Sequence, residues 1–322
     1  MPKEDALGDF LAGHEPMPSG ASLSPGAAVS DWRIVAFLGK GGNAEVYRAT
    51  HESSHQVAAI KILFRRDGSR LERFRREIDM LSGLKCQALP RFFDAGEVDG
   101  RPYIAMELLE PCELPNGDRE VASFLIAVAE SVKSLHNCGI VHRDLKPQNI
   151  MRRRDSSLAI IDLGLAKRIS ESCRLPQLDT LSIVDGRHVG LGTPQYAAPE
   201  QFSGGEITPS ADIHALGKLA DDCFGGNPPR AWRRIIERAT SSIPERRYPS
   251  VAAFKAAVRA RFRTARLLSA LAVVAISAVA LLAAWRCIEL RRVRMMEERR
   301  FKEEMLQKEH EEIMEMLQRD VY

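Results

Sequence analysis

Several features are missing from this 322-residue chain, and each absence narrows its possible functions. No two of its six cysteines stand in a C-x-x-C spacing, which argues against a zinc site or a disulfide frame and favours reduced thiols. Neither sign of charge dominates: 46 Lys and Arg against 43 Asp and Glu leave +3, so neither a nucleic acid nor an acidic substrate is indicated. Lys3, Glu4 and Asp5 are followed by no apolar run, so a signal peptide is not expected. No segment repeats another, and the phosphate loop G-x-x-x-x-G-K-S/T does not occur.

Apolar residues make up 45% of the chain, enough to bury a sizeable core. Residues 1–30 are rich in Pro, Gly, Ser and Ala without apolar periodicity and read as a disordered lead-in. From Asp31 the pattern changes. Trp32, Ile34 and Ala36 alternate as in a strand, 45–49 reads as its hairpin partner, and 57–63 as a third strand. Leu71, Phe74, Ile78 and Leu81 follow helical spacing, with Ser69 and Glu72 as a capping box. Residues 103–107 form another apolar strand, and beyond about 118 the apolar segments are longer and helical. Strands first and helices second predict an α+β fold in two lobes, not an alternating sheet.

Residues 267–285 carry no charge over 19 positions, a helix of roughly 28 Å that matches a bilayer core. Arg263, Arg266 and Arg286 flank it, and Trp285 sits where an interfacial aromatic belongs, so a transmembrane helix is expected. The remainder, 286–322, is charged and reads as a helical tail: an anchor, a stalk for a homodimer, or a site for a small partner. Five basic residues in the 15 before the span face six in the 15 after it, so charge does not orient it.

Three groups of residues carry chemistry. Gly39-Lys40-Gly41-Gly42-Asn43-Ala44-Glu45-Val46 is a glycine-rich turn followed by a strand, which excludes a Rossmann loop but suits a hairpin whose backbone approaches phosphate. Lys61 lies within an apolar strand and Glu77 on the inward face of the following helix; burial of either charge is costly, so the two are expected to pair. The strongest signal is Val141-His142-Arg143-Asp144-Leu145-Lys146-Pro147-Gln148-Asn149, with Asp162-Leu163-Gly164 beginning 18 residues after Asp144 and Ala198-Pro199-Glu200 and Asp212 beyond. Phosphoryl transfer requires metal across the phosphates, a cation beside them and a base that orients the hydroxyl. These residue types supply all three.

On these motifs, residues 32–262 resemble the eukaryotic-type (Hanks-type) protein kinases found also in bacteria, and the single C-terminal span is similar to that of bacterial membrane-bound Ser/Thr kinases. The resemblance implies a bilobal fold over 31–262, a β-rich lobe and an α-rich lobe. It implies that Gly39, Gly41 and Ala44 cover ATP, that Val46 and Ala59 flank adenine, that Met106 is the gatekeeper, and that Glu107 and Leu109 supply hinge backbone. Lys61 and Glu77 would grip the phosphates, Asp144 would be the base, Lys146 would steady the phosphate, and Asn149 and Asp162 would hold magnesium, or manganese in its place. Thr193 would position Asp144, and Glu200 would brace Arg247. Lys146-Pro147 is the Ser/Thr-type pair, which sets the substrates as protein Ser and Thr hydroxyls. An activation-loop phosphate at Thr180 or Ser182, with Ser170 and Ser172 behind them, is a further expectation.

The chain departs from the family pattern in four places. Ala44 replaces a third glycine, Leu163 replaces phenylalanine and His214 stands where tyrosine often sits. Gly217 to Pro244 is short for a segment that usually carries a substrate-docking helix, which implies an altered docking surface. The competing reading is an ATP-binding pseudokinase acting as a membrane scaffold; the presence of Lys61, Glu77, Asp144, Asn149 and Asp162 disfavours it. The span implies a cell-membrane protein, and the need for ATP with magnesium and for reduced cysteines places the kinase domain in the cytoplasm; the partners expected are ATP, protein substrates and the lipid bilayer.

Overall fold

The computed structural model describes residues 22–41, 43–64, 68–169, 181–184, 187–190, 193–203, 206 and 208–319. The chain divides into two compact units, Met1–Arg259 and Ala260–Tyr322.

In the first unit, six antiparallel strands run in the order β1-β2-β3-β4-β6-β5: β1 Ala28–Val29, β2 Trp32–Lys40, β3 Ala44–His51, β4 Val57–Leu63, β5 Phe92–Val98 and β6 Arg101–Glu107. One face packs on Trp32, Ile34, Tyr47, Ile60, Ile62 and Tyr103. Strand β4 is apolar on both faces, as a strand covered on both sides must be, and Lys61 interrupts it. Helix α1, Gly68–Gly83, buries Phe74, Glu77, Met80 and Leu81 along one stripe.

Two expectations fail here. The helix already includes Ser69, so that residue sits in the first turn, not ahead of it as a cap. Residues 22–30 are not a loose lead-in: Val29 is fully buried, β1 pairs with β2, and the Ser22 hydroxyl donates to the buried Glu45 carboxylate at 2.5 Å. Composition misreads this segment because a few apolar side chains, Leu23, Ala27 and Val29, dock it once β2 and β3 present a surface.

The other lobe is built on helices. After β7, Glu110–Pro111, comes α2, Asp118–Asn137, which buries Val121, Leu125, Val128, Val132 and Leu135 at helical spacing. Short strands follow: β8 Ile140–Val141, β9 Ile150–Arg152, β10 Leu158–Ile160 and β11 Lys167–Arg168. Strand β9 pairs with β10 and β7, and β8 with β11. Strands β12 Leu181–Val184 and β13 Arg187–Gly190 form a hairpin. Ser182 lies opposite Val189 in it, while Ser170, Ser172 and Thr180 fall outside the described residues.

Helix α3, Glu200–Ser203, precedes α4, Ser210–Cys223, which is buried on nearly every side. Helix α5, Arg230–Ala239, follows after six residues, with Trp232, Ile235, Ile236 and Ala239 inward. Arg247 is fully buried and grips Glu200 with two bonds of 2.6 and 2.7 Å; it also donates to the Ser241 and Ser210 carbonyls, so its fork is satisfied.

The last helix, α6, runs from Val251 to Arg319. Val251, Phe254 and Val258 are buried in the first unit, and Lys255 pairs with Glu130 of α2. In the second unit, Leu271–Glu309 contains an apolar stretch long enough to cross a membrane, and none of that stretch is buried against protein.

Gly217 of α4 packs tightly against the end of α5: a Cβ there would lie 2.7 Å from Ala239 Cβ and 2.8 Å from Thr240 Cγ2. Gly217→Ala is therefore expected to destabilise the first unit by about 1–3 kcal/mol through overpacking. In thermal unfolding this reads as a fall of a few degrees in Tm, and an unchanged Tm would show that the helices are not packed this closely.

Candidate active site

The site lies where the ends of the sheet, helix α1 and the β8–β10 loops meet, and each side chain has a local reason for its position. Lys61 sits opposite Val46 of β3 and Ile104 of β6, and Ala59 sits opposite Met106, so antiparallel register puts all five on one face of the sheet. Gly41 N–H donates to the Ala44 carbonyl at 2.9 Å and closes the β2–β3 turn; Gly39 faces Val46 and Lys40 pairs with Glu45 at 3.1 Å.

Lys61 Nζ reaches both oxygens of Glu77 at 2.8 Å and lies 3.5 Å from Asp162 Oδ1. Burial opposes the lysine's charge, yet the Glu77 and Asp162 carboxylates outweigh it and hold the ammonium above the usual lysine range. Burial also pushes the Glu77 carboxyl up, and the Lys61 ammonium pulls against that shift. The same ammonium holds the Asp162 carboxyl below its ordinary range against burial, with His142 and Lys146 adding to it.

Asp162 adopts a left-handed backbone, φ 68° and ψ 72°, ahead of the turn Leu163–Leu165. An L-residue other than Gly, Asn or Asp pays a larger steric penalty there. Leu163 is fully buried in the turn that packs on α1, so the position usually held by phenylalanine is filled by a smaller apolar side chain.

Asp144 is buried and its carboxylate is fully engaged. Oδ1 accepts from Thr193 N at 2.9 Å and Thr193 Oγ1 at 3.1 Å; Oδ2 accepts from Lys146 Nζ at 2.7 Å and Asn149 Nδ2 at 3.3 Å. Lys146 also donates to the Thr193 hydroxyl at 3.0 Å, so that hydroxyl receives from the lysine and donates to the carboxylate. Asn149 Nδ2 bonds the Asp144 carbonyl at 2.8 Å, which turns the amide oxygen to the other side. Ile161 N–H donates to the Asn149 carbonyl at 2.9 Å and brings Asp162 alongside.

An Asn oxygen and an Asp carboxylate are hard oxygen donors of the kind that hold magnesium when phosphate oxygens and water complete the shell. Among the described residues no group of three or more His, Cys, Asp or Glu is placed to hold a metal ion.

Two residues to which the sequence gave no individual role hold this arrangement. Asp212, fully buried on α4, accepts from the His142 and Arg143 backbone N–H groups at 2.9 Å each and bonds His136 Nε2 at 2.8 Å. Burial opposes its charge, but the His136 ring and these donors hold the carboxyl below its usual range. Gln201 donates to the Arg143 carbonyl at 2.8 Å and accepts from Ala198 N–H at 3.1 Å. Together they stabilise Arg143 at φ 71°. The sequence signal was a lone Asp in the apolar stretch of α4. His214 is buried beneath the Tyr196 carbonyl at 3.2 Å, and burial pushes its ring pKa down.

A profile of the protein kinase domain matches residues 32–264. The chain belongs to the protein kinase domain family. It is 32% identical over 215 residues to the serine/threonine-protein kinase PknH of Mycobacterium bovis, covering 63% of this chain and 34% of that protein. It is 30% identical over 278 residues to the serine/threonine-protein kinase Pkn1 of Myxococcus xanthus, covering 73% of this chain and 38% of that protein. The chain thus spans about a third of the length of the curated relatives it matches. The crystal structure of the Mycobacterium tuberculosis PknI kinase domain superposes with a TM-score of 0.57 at 23% identity, over 74% of this chain and all of that one, a likeness of fold. For this kinase-family chain, the two-lobed fold expected from strands first and helices second is the fold observed.

Lys61 and Glu77 share one ion pair, so Lys61→Met and Glu77→Gln should behave as a unit. Each single change is expected to lower phosphoryl transfer, and the double change to cost little more than the worse single, with a coupling of about 0.5–3 kcal/mol. Fully additive losses in this double-mutant cycle would show that the two side chains act independently.

Proposed function

We propose that this chain is an ATP-dependent protein kinase that phosphorylates Ser and Thr hydroxyls of proteins from the face of a membrane. The observation that carries the reading is the Asp144 carboxylate held by Thr193 and Lys146 and bonded to Asn149, whose carbonyl accepts the N–H of Ile161 next to Asp162. In this reading the hydroxyl of the acceptor protein approaches Asp144, which orients it and receives its proton as the phosphoryl group moves. Lys146 steadies the γ-phosphate while Lys61, kept extended by Glu77, holds the phosphates behind it. Magnesium, or manganese, would be held by Asn149 and Asp162 and would neutralise charge on the phosphates. Gly39, Gly41 and Ala44 lie over the phosphates, Val46 and Ala59 bracket adenine, Met106 limits the cleft, and the backbone of Glu107 and Leu109 binds the adenine edge.

Lys146-Pro147 and the relatives named serine/threonine-protein kinases favour Ser and Thr as acceptors. The apolar stretch at 267–285 serves as a single transmembrane anchor, the catalytic unit stays in the cytoplasm with its ATP, and the charged tail emerges on the other side, where it can pair with a second copy. The second reading, a pseudokinase scaffold, has no observation in its favour at the five positions named.

Incubation with labelled ATP and magnesium tests the enzyme reading. The wild-type chain is expected to label itself or a test protein, and Asp144→Asn to lose transfer by roughly 10²–10⁴-fold while it still binds ATP, the range for a positioned base. Near-wild-type labelling by that variant would sink the assignment. For the anchor, a chain stripped of its native cysteines and carrying Gln318→Cys is expected to react with an impermeant maleimide in intact cells. Reaction only after the inner membrane is broken would place the tail inside.

A further inference from the structure

Arg153 opens the turn between β9 and β10 and has no part in the arrangement above. Its side chain is only 15% exposed, while Arg152 and Arg154 beside it lie on the surface. The turn fixes its backbone: Arg153 N–H donates to the Ser157 carbonyl at 2.8 Å, and its own carbonyl accepts from Ser156 N–H at 2.9 Å. From there the guanidinium reaches three separate pieces of the fold. Nε donates to the Glu107 carboxylate at 3.2 Å, Nη2 to the Leu89 carbonyl at 2.7 Å and Nη1 to the Leu158 carbonyl at 3.2 Å.

These three acceptors belong to different parts of the machine. Glu107 ends β6 at the connection between the lobes, Leu89 lies in the loop that follows α1, and Leu158 begins β10 of the helical lobe. Glu107 is also fastened to Arg91, whose carbonyl accepts Glu107 N–H at 2.8 Å and whose N–H donates to the Glu107 carboxylate at 3.2 Å. A second backbone bond, Ile160 N–H to the Ala88 carbonyl at 2.7 Å, ties the same loop to the same hairpin. Glu107, Arg91 and Arg153 border a cleft of about 380 Å³ on this side. Lysine has one point charge and could serve these acceptors only in part, whereas the planar fork of arginine serves all three at once.

We infer that Arg153 is a positioning residue for the nucleotide: it sets the backbone at Glu107 and couples it to the loop behind α1. The inference rests on the proposed role of the 107–109 backbone in binding adenine. A recognition edge made of backbone has no side chain to adjust, so its geometry depends on what anchors it. Without the guanidinium, the Glu107 carboxylate loses a charge-assisted bond, and the loop behind α1 and the β9–β10 hairpin lose a side chain that ties both to the connection between the lobes. Affinity for ATP then falls, while the reacting groups around Asp144 keep their bonds.

The test uses the full chain, with ATP binding by calorimetry, steady-state kinetics and thermal unfolding for wild type, R153M, R153K, E107Q and R153M/E107Q. R153M is expected to raise Kd and KM for ATP about 5- to 20-fold, the loss of one charge-assisted bond, with kcat within about twofold of wild type. R153K should recover only part of that affinity. R153M/E107Q should be no weaker than R153M, because both changes remove the same contact. Should R153M not fold, E107Q carries the test alone, since it keeps the shape of Glu107 and must also weaken ATP. Wild-type affinity in R153M, or in E107Q, overturns the inference, and so does a fall in Tm and kcat with affinity unchanged. A wild-type chain that takes up no ATP overturns the nucleotide reading itself, a result distinguishable because no arm of the series then binds.

Discussion

The arrangement around Asp144 depends on one buried carboxylate. Asp212 has no contact with solvent, and a charge in that position is tolerable only if donors surround it. The donors it finds are the backbone N–H groups of His142 and Arg143 and the ring of His136. The need to satisfy Asp212 therefore fixes the peptide planes two residues ahead of Asp144. Gln201 secures the Arg143 carbonyl from the other side. A left-handed Arg143 would cost free energy in isolation, and these bonds offset that cost. The core of the helical lobe and the geometry of the reactive loop are in this way one structure.

The sheet lobe solves a similar problem with opposite charges. Lys61 lies in a strand buried on both faces and Glu77 in the stripe of α1 that faces it. Neither charge is affordable alone, so α1 is held where Glu77 can reach the ammonium. Asp162, 3.5 Å away, comes from the other lobe and adds a second carboxylate to the same lysine. The position of α1 is thereby linked to the turn at Leu163, which packs on it. Arg153 makes a comparable connection on the opposite side of the hinge, with one fork joining three segments.

The short path from α4 to α5 shapes the helical lobe. Six residues separate the two helices, and Gly217 leaves room for Ala239 and Thr240 against the centre of α4. Glu200 and Arg247 close the same region with a fully buried, bidentate pair.

Local pattern alone determined much of this protein. The alternation at Trp32–Ala36, the apolar run 57–63 with its single lysine, the spacing of Phe74 and Leu81 and the 19 uncharged residues at 267–285 are signals that need no neighbour to be read. The spacing of Asp144, Lys146 and Asn149 was equally legible, because residues within one turn of loop meet whatever surrounds them. The tertiary structure decided the rest. Asp212 reaches Arg143 across 69 positions and Gln201 reaches it across 58, and a side chain that bonds a distant backbone group leaves no periodic trace in the chain. Arg153 is the middle of three consecutive arginines, and only the fold brings Glu107 and Leu89 to it. Residues 22–30 looked like a tail because their few apolar side chains form no period; they are ordered by the surface of β2 and β3, which exists only once the sheet has formed.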